Sequence, residues 1–270
     1  MKDDLETIAQ FADSLAETAR SIAIQHFRHT TSFERKLDES PVTIADRAIE
    51  AAMREAIERA YPDHGILGEE SGASGANDRM WVLDPIDGTK SFITGMPLFG
   101  TLIAFVEQGA PAVGVIEMPA LHERWVAKKG GTSFAGRPVR VSGCERIGES
   151  RVYTSSPDFF SVDDWERYDR LSRQAAIRRF GGDCYQYGLL SSGYCDLVIE
   201  TSLMPYDFMP LVPVVEGAGG IITDWEGQVL DLRSGGRIVA SSTRALHEQA
   251  MELLNQRPAS AANNVQESDR

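Results

Sequence analysis

The sequence WVLDPIDGTKSF, at residues 81–92, combines the end of a predicted strand with the start of a predicted helix. Its first three residues are apolar and predict the end of a buried strand. Pro85 has no backbone N–H to donate, so we expect the strand to stop there. Gly88 permits a tight bend, and Thr89 suits the cap or first turn of a helix that begins near Lys90. The stretch therefore predicts a strand, a turn and a helix in close succession.

This turn carries two carboxylates, Asp84 and Asp87, beside the backbone amides of the helix start. Carboxylates that lie so close repel each other unless a cation lies between them. Mg²⁺ prefers such oxygen ligands and keeps coordination positions open for phosphate. Amides at a helix start also suit a phosphate oxygen. An acidic turn with ordinary helix capping is the alternative that a bare DxxD pattern leaves open.

Composition predicts a globular protein with a substantial core, because 42% of the 270 residues are hydrophobic and 25% are charged. The net charge of −13 argues against a basic surface for nucleic acid or membranes. The N-terminus is acidic and amphipathic, and no apolar run is long enough to cross a bilayer, so we expect neither a signal peptide nor a membrane span. Three cysteines without CxxC spacing predict no disulfide framework and no zinc site. A reducing cytoplasm is the expected location.

The first half of the chain predicts two helices followed by a series of strands. Apolar residues at helical spacing indicate a helix over residues 4–28 and a second from Ile44 to the helix-stopping Pro62. Thr43 and Asp46 resemble a capping box for the second helix. The other predicted elements are a strand around 32–36, a strand over 65–70 that ends in two glutamates, a Gly/Ser loop over 71–78 and consecutive strands over 100–142.

The second half alternates strands and helices. The predicted strands are 151–156, 177–180, 196–201 and 237–242, with a further pair over 219–232; the predicted helices are 163–176, 183–193, 206–217 and 243–256. Residues 257–270 lack apolar periodicity and are predicted to be disordered. Grouped strands interleaved with helix pairs favour layers of helix and sheet over a repeated βαβ barrel.

Taken together, these motifs resemble the inositol monophosphatase family. Lys36 with SPVTIAD, then GEE, DPIDGTKSF and YDFMPLVPVVEGAGG follow that family's order and spacing from the first helix to about residue 255. The resemblance implies an α/β fold, the five-layer α-β-α-β-α sandwich of the inositol monophosphatase and fructose-1,6-bisphosphatase type. It implies one domain over 1–256, with a metal-binding α+β half at 1–150 and an α/β half with the substrate pocket at 151–256.

The resemblance also implies two to three Mg²⁺ ions in one active site. Glu69, Asp84 and the backbone carbonyl of Ile86 would hold the first ion. Asp84, Asp87 and Asp207 would hold the second. Glu69, with water, would help to hold a weaker third.

The remaining catalytic roles are implied in the same way. The amides of Gly88 and Thr89 would bind the phosphate. Glu70 and Thr89 would activate the attacking water, and Asp46 would position the Thr89 hydroxyl. Lys36 is counted as a supporting residue.

Two acidic residues point to the alcohol part of the substrate. Asp183 follows Gly-Gly, where inositol monophosphatases commonly have a small residue, and this departure resembles the histidinol-phosphatase branch of the family. Glu200 matches the family position that contacts the alcohol. Together they could receive a cationic amine through charge-assisted hydrogen bonds. The alternative left open is that Asp183 only caps the helix that begins there.

We therefore expect a phosphoric monoester hydrolase, specifically a histidinol-phosphate phosphatase of histidine biosynthesis. Inositol 1-phosphate, or another small sugar or nucleotide phosphate, is the alternative within the family. A non-catalytic regulator that binds metal and phosphate is the alternative from another class. The expected partner is a small phosphate monoester, with neither nucleic acid nor membrane, and the resemblance implies a homodimer.

Overall fold

The computed structural model of the chain describes residues 4–29, 33–35, 41–76 and 78–256. Lys36 and the predicted disordered tail at 257–270 lie outside the described residues. Of the strand predicted around residues 32–36, the described part forms a short strand at Glu34–Arg35.

The described part of the chain contains two short 3₁₀ helices, Ile147–Glu149 and Pro157–Phe159, and eight α-helices. The α-helices are α1 (Leu5–His26), α2 (Ile44–Ala60), α3 (Thr89–Ile93), α4 (Val162–Ser172), α5 (Tyr185–Ser191), α6 (Pro205–Phe208), α7 (Leu211–Gly217) and α8 (Arg244–Asn255).

The same described residues form fifteen strands. They are β1 (Glu34–Arg35), β2 (Pro41–Val42), β3 (Gly65–Gly68), β4 (Gly72–Ser74), β5 (Arg79–Asp87), β6 (Gly100–Glu107), β7 (Ala110–Met118), β8 (Glu123–Lys128), β9 (Gly131–Phe134), β10 (Arg137–Pro138), β11 (Arg151–Thr154), β12 (Ile177–Phe180), β13 (Leu197–Glu200), β14 (Ile221–Asp224) and β15 (Ile238–Ser241).

Two large sheets organise the described residues. The first has eight strands in the order β10-β9-β8-β7-β6-β5-β3-β4 and is antiparallel except where β3 runs parallel to β5. The second has five strands in the order β12-β11-β13-β15-β14, with parallel pairs at β12-β11-β13 and antiparallel pairs beyond. The predicted run of consecutive strands after residue 100 is therefore confirmed as an antiparallel meander.

The helices and sheets stack as the predicted α-β-α-β-α sandwich. One apolar core lies between α1, α2 and one face of the eight-stranded sheet. A second fills the space between the two sheets, around α5, α6 and α7. A third lies between the five-stranded sheet and α4 and α8. Each sheet is thus covered on both faces, which buries its apolar side chains.

Side chains that cap the first turn mark the starts of α1 and α2. The Asp4 side chain accepts a hydrogen bond from the Glu6 amide at the start of α1. Thr43 and Asp46 form the predicted capping box of α2, in which the Asp46 carboxylate accepts the Thr43 backbone amide. None of the helices in the described ranges has the length and apolarity needed to cross a membrane.

Three predictions of secondary structure were wrong. Residues 72–74 of the predicted Gly/Ser loop form β4, because they pair with β3 across the tight turn that follows it. The helix predicted over 206–217 is divided into α6 and α7, between which lies Pro210, whose ring cannot continue the hydrogen-bond ladder. The pair of strands predicted over 219–232 is reduced to β14, which pairs with β15 instead.

Candidate active site

Strand β5 does not stop at Pro85, as the sequence predicted, but continues to Asp87. Its pairing with β6 passes from Asp84 opposite Leu102 to Asp87 opposite Gly100, with an irregularity between. A strand can accommodate a proline, which has no backbone N–H, at a bulge of this kind. The Thr101 hydroxyl donates to the Pro85 carbonyl over 2.8 Å, so that this carbonyl is satisfied where the ladder is irregular. The bulge brings two aspartates to one strand end.

Three aspartates from two distant parts of the chain converge at this strand end. Carboxylate oxygens of Asp84, Asp87 and Asp207 all lie within 4.8 Å of one another. Asp207 is in the first turn of α6, where its carboxylate also accepts the Met204 amide over 2.7 Å. Glu69 follows β3 and lines the same cavity. The predicted convergence of these acids is therefore present in the structure.

The cluster is electrostatically unfavourable without a cation. Burial, and then the charge of Glu69, raises the pKa of Asp84 well above its ordinary value. Burial, and then the charge of Asp87, raises the pKa of Asp207 in the same direction. Burial also raises the pKa of Asp87, although the Cys184 amide donates to that carboxylate over 2.5 Å and opposes the shift. Such a cluster favours a bound proton or a metal ion.

The turn after β5 presents the start of α3 to the same cavity. Gly88 has a φ of 80° in the left-handed region, which glycine adopts without steric cost. Thr89 is the first residue of α3, and its hydroxyl donates to the Ile86 carbonyl over 3.1 Å. Ile86, Gly88 and Thr89 all line the cavity. Amides at a helix start have no partner within the helix, so this wall suits an anion.

Glu70 and Asp46 are not among the described residues that line the cavity. Asp46 is buried, and its Oδ2 accepts the backbone amide of Thr43 over 2.8 Å and the Thr43 hydroxyl over 2.5 Å. Burial raises the pKa of Asp46 to about 6, and the charge of Glu69 adds to that shift. The structure records this capping role for Asp46; its predicted action on Thr89 stays a prediction.

The cavity has a volume of about 490 Å³ and extends away from the aspartates toward the second sheet. Its far wall includes Ser155 and Phe159 from the segment after β11, and Met204 and Tyr206 near α6. This mixed apolar and polar wall is typical of a site for a small molecule. Asp183 and Glu200, the two predicted substrate residues, both line the cavity.

Asp183 does not cap α5, so the alternative that the sequence left open is wrong. Cys184 is the cap residue of α5 and makes no side-chain capping bond. The Asp183 carboxylate instead accepts a hydrogen bond from the Ser91 hydroxyl of α3 over 3.2 Å. Its backbone has a φ of 46°, a conformation uncommon for a residue other than glycine. Burial, and then the charge of Asp87, raises the pKa of Asp183 to about 7.

Glu200 ends β13 and is 1% exposed. Its Oε1 accepts hydrogen bonds from the Ser155 amide over 2.6 Å, the Gln186 side-chain amide over 2.6 Å and the Thr154 hydroxyl over 3.2 Å. Its Oε2 has no hydrogen-bond partner among the described residues. Burial raises the pKa of Glu200 to about 7 despite these donors.

Sequence reasoning missed the residues that hold the predicted ones in place. Thr101, Ser91 and Gln186 act through contacts that span sixteen, ninety-two and fourteen residues of sequence, respectively. No local motif marks such a partner. Ser91, Cys184 and Gln186 lie close in sequence to residues that were singled out, but nothing in the sequence shows which distant group each one contacts.

The chain is similar to known proteins over most of its length. The inositol monophosphatase family matches residues 4–259. The bifunctional phosphatase IMPL2, chloroplastic, of Arabidopsis thaliana is 42% identical over 93% of this chain and 76% of its own length. A histidinol-phosphatase of Mycobacterium tuberculosis is 36% identical over 94% of this chain and 98% of its own. The solved structure of an inositol monophosphatase from Zymomonas mobilis is 42% identical, with a TM-score of 0.87 over 94% of this chain and all of that one.

Proposed function

Because the chain belongs to the inositol monophosphatase family, and is therefore a phosphatase of that family, we propose that it is a Mg²⁺-dependent histidinol-phosphate phosphatase. The observation that carries the choice of substrate is the carboxylate of Asp183, which lines the cavity and lies against Gly88 of the predicted phosphate site. A leaving group with a positive charge would neutralise the Asp183 carboxylate, whereas a leaving group with hydroxyl groups alone would not.

The aspartate cluster fits Mg²⁺. All of its donors are oxygen atoms, and Asp84 Oδ1 is buried without a hydrogen-bond partner in the part of the chain that the structure describes. Glu69, Asp84 and the Ile86 carbonyl would hold one ion, and Asp84, Asp87 and Asp207 a second, with a weaker third at Glu69. Bound there, Mg²⁺ would act as a Lewis acid that offsets the charge of the phosphate and makes a water molecule more acidic.

The chain's own residues would then orient the ester and move one proton. The Gly88 and Thr89 amides would bind the phosphate oxygens at the start of α3. A water molecule would attack phosphorus in line as the bond to the alcohol oxygen breaks. Thr89 would pass the water's proton toward Glu70, and the departing alkoxide would take a proton from solvent. Asp46 would hold Thr89 in place for this transfer.

The raised pKa values of Asp183 and Glu200 support a cationic substrate. Each carboxylate has a pKa of about 7, chiefly because burial disfavours its charged form. An ammonium or imidazolium group beside them would stabilise the charged form and gain charge-assisted hydrogen bonds in return. L-histidinol phosphate carries an ammonium group and an imidazole, which becomes an imidazolium on protonation. The similarity to a histidinol-phosphatase over nearly the whole chain supports the same substrate.

Inositol 1-phosphate is the second candidate. The similarity to the inositol monophosphatase of known structure favours it, since that chain is 42% identical to this one. The two candidates differ at Asp183 and Glu200, because inositol offers these carboxylates hydroxyl donors and no positive charge.

The deciding experiment measures phosphate release from the two esters with Mg²⁺ present. We expect kcat/KM for histidinol phosphate to exceed that for inositol 1-phosphate by at least about 10-fold, the scale of one hydrogen bond to a charged group. Equal turnover, or a preference for inositol 1-phosphate, would overturn the substrate assignment. We further propose that the protein acts as a homodimer in the cytoplasm, and light scattering after gel filtration would test the dimer.

A further inference from the structure

Glu50 is a buried carboxylate that has no role in the chemistry proposed above. It lies on α2, one helical turn after Asp46, and is fully buried. Buried glutamates are uncommon unless they are paired. Its carboxylate does not line the cavity, so it does not contact the substrate directly.

The Glu50 carboxylate holds the turn that carries two predicted active-site glutamates. Its Oε2 accepts the backbone amide of Glu70 over 2.7 Å, and its Oε1 accepts the next amide, of Ser71, over 3.0 Å. The two oxygens therefore fix consecutive peptide units immediately after Glu69. Hydrogen bonds from amides to a charged acceptor are about twice as strong as neutral ones.

Gly68 makes this close approach possible. A Cβ atom there would come within 2.5 Å of the Glu50 carboxyl carbon. The absence of a side chain at the end of β3 lets the carboxylate lie directly against the backbone of the turn. Any larger residue at Gly68 would displace it.

Arg54 completes the arrangement from the next turn of α2. Its Nε donates to Glu50 Oε1 over 2.8 Å, and its terminal nitrogens donate to the Gly72 carbonyl and, over 3.2 Å, to the Ser74 hydroxyl. The guanidinium balances the Glu50 charge, which would otherwise add to the repulsion among the acids. It also ties β4 to the same helix.

The other side of the turn is attached to β5. The Glu69 amide donates to the Leu83 carbonyl over 3.2 Å, directly before Asp84. The turn is therefore held between β5 on one side and the Glu50–Arg54 pair on the other. Together the two attachments place Glu69 and Glu70 relative to Asp84.

We propose that Glu50, supported by Arg54, is a positioning residue that sets the Mg²⁺ affinity of the site by fixing the turn of Glu69 and Glu70. This inference rests on the proposed metal role of Glu69. It predicts that loss of the Glu50 carboxylate weakens metal binding, whereas the substrate still binds normally once the metal sites are filled.

The test replaces Glu50 with glutamine and measures Mg²⁺ binding by titration calorimetry, with no substrate present. The Glu50→Gln side chain keeps its size but presents an amide group to neighbours that are themselves donors. We expect the Mg²⁺ dissociation constant to rise by roughly 10-fold or more, as for other residues that orient metal ligands. The KM for the phosphate ester at saturating Mg²⁺ should stay nearly unchanged, because Glu50 does not line the cavity that binds the ester.

Glu55→Gln is the matched control, because Glu55 forms an exposed pair with Arg59 at the same spacing on the same helix. It should bind Mg²⁺ as the unmodified protein does. If Glu50→Gln does not fold, Arg54→Lys keeps the positive charge but loses the planar fork of donors, and a smaller rise in the dissociation constant is expected.

Equal Mg²⁺ affinity in folded Glu50→Gln and Glu55→Gln would overturn the inference. So would a KM that rises while the Mg²⁺ affinity is unchanged. Failure of the unmodified protein to bind Mg²⁺ would instead contradict the proposed function itself, so the two failures are distinguishable.

Discussion

The carboxylate of Asp183 lies directly against the backbone of Gly88. A Cβ atom on Gly88 would come 2.7 Å from Asp183 Oδ2, so only glycine leaves room for this contact. In histidinol phosphate the carbon that bears the ammonium group is next to the one that bears the ester oxygen. A residue that receives the ammonium group must therefore lie close to the residues that bind the phosphate. The contact between Asp183 and Gly88 meets that requirement.

Replacement of Gly88 by alanine tests this contact. The Gly88→Ala variant should lose at least about 10-fold in kcat/KM, because the new methyl group displaces Asp183 and the phosphate-binding amides together. Gly109→Ala is the control, since Gly109 has a similar φ of 82° and a Cβ atom there would meet nothing within 4 Å. Both variants should lose roughly 1–2 kcal/mol of stability through backbone strain. An activity loss equal in both would mean that strain alone is responsible.

Asp183→Asn tests the choice of substrate. The asparagine keeps the shape of the side chain and can still accept the Ser91 hydrogen bond, but it has no charge to offer an ammonium group. We expect KM for histidinol phosphate to rise roughly 10-fold or more, the scale of a lost charge-assisted bond. Turnover of a generic phosphate ester such as p-nitrophenyl phosphate should be nearly unchanged. A similar loss with both esters would show that Asp183 supports the site as a whole.

Asp84→Asn tests the centre of the metal cluster. Activity should fall by at least about 100-fold, the scale of losing a group that stabilises the transition-state charge. The same change should stabilise the metal-free protein, because it removes one of several mutually repelling carboxylates. Thermal unfolding with and without Mg²⁺ measures the effect on stability, and phosphate release measures the effect on activity. Retained turnover would mean that the catalytic centre lies elsewhere.

The stability of the metal-free protein should fall as pH rises from 6.5 to 8. The pKa values of Asp183 and Glu200 are raised to about 7 in the folded chain, against about 4 when unfolded. Between about pH 4 and 7 the folded state therefore binds more protons, so the extra stability declines with pH and is lost as pH rises through about 7. Burial lowers the pKa of His247 to about 4, but this acts in the opposite direction only below about 6.5.

Urea unfolding in the presence of a chelator measures this dependence. Asp183→Asn should show a shallower decline over the same pH range, since it removes one of the titrating groups. Constant or rising stability between pH 6.5 and 8 would contradict the raised pKa values of these carboxylates.

Features governed by neighbouring residues could be predicted from the sequence. The capping box of Thr43 and Asp46 depends on four consecutive residues, and the apolar face of α1 on a simple period, so both were predicted correctly. The convergence of Glu69, Asp84 and Asp207 could not be predicted from neighbouring residues. Periodicity does not bring distant acids together, and that prediction came from the resemblance of the motifs to a family.

Features governed by a distant partner were missed or mistaken. Pro85 ends a strand in isolation, but a bulge in β5 opposite β6 accommodates it, the Thr101 hydroxyl donates to its carbonyl, and β5 continues to Asp87. The position of Asp183 before a helix is typical of a cap, yet its side chain lies against Ser91 and Gly88 instead. In the sequence Glu50 resembles an ordinary helical glutamate. Only the structure shows that the Glu70 amide donates to its carboxylate. In each case the deciding contact is tertiary.

The central claim is that the clustered aspartates make phosphate hydrolysis depend on Mg²⁺. Its most direct test is phosphate release from histidinol phosphate by the purified protein, first with excess chelator and then over a range of free Mg²⁺ concentrations. We predict no release above background with the chelator and a saturable rise in rate with Mg²⁺. Release that continues undiminished in the chelator, or that Mg²⁺ never restores, would contradict the account.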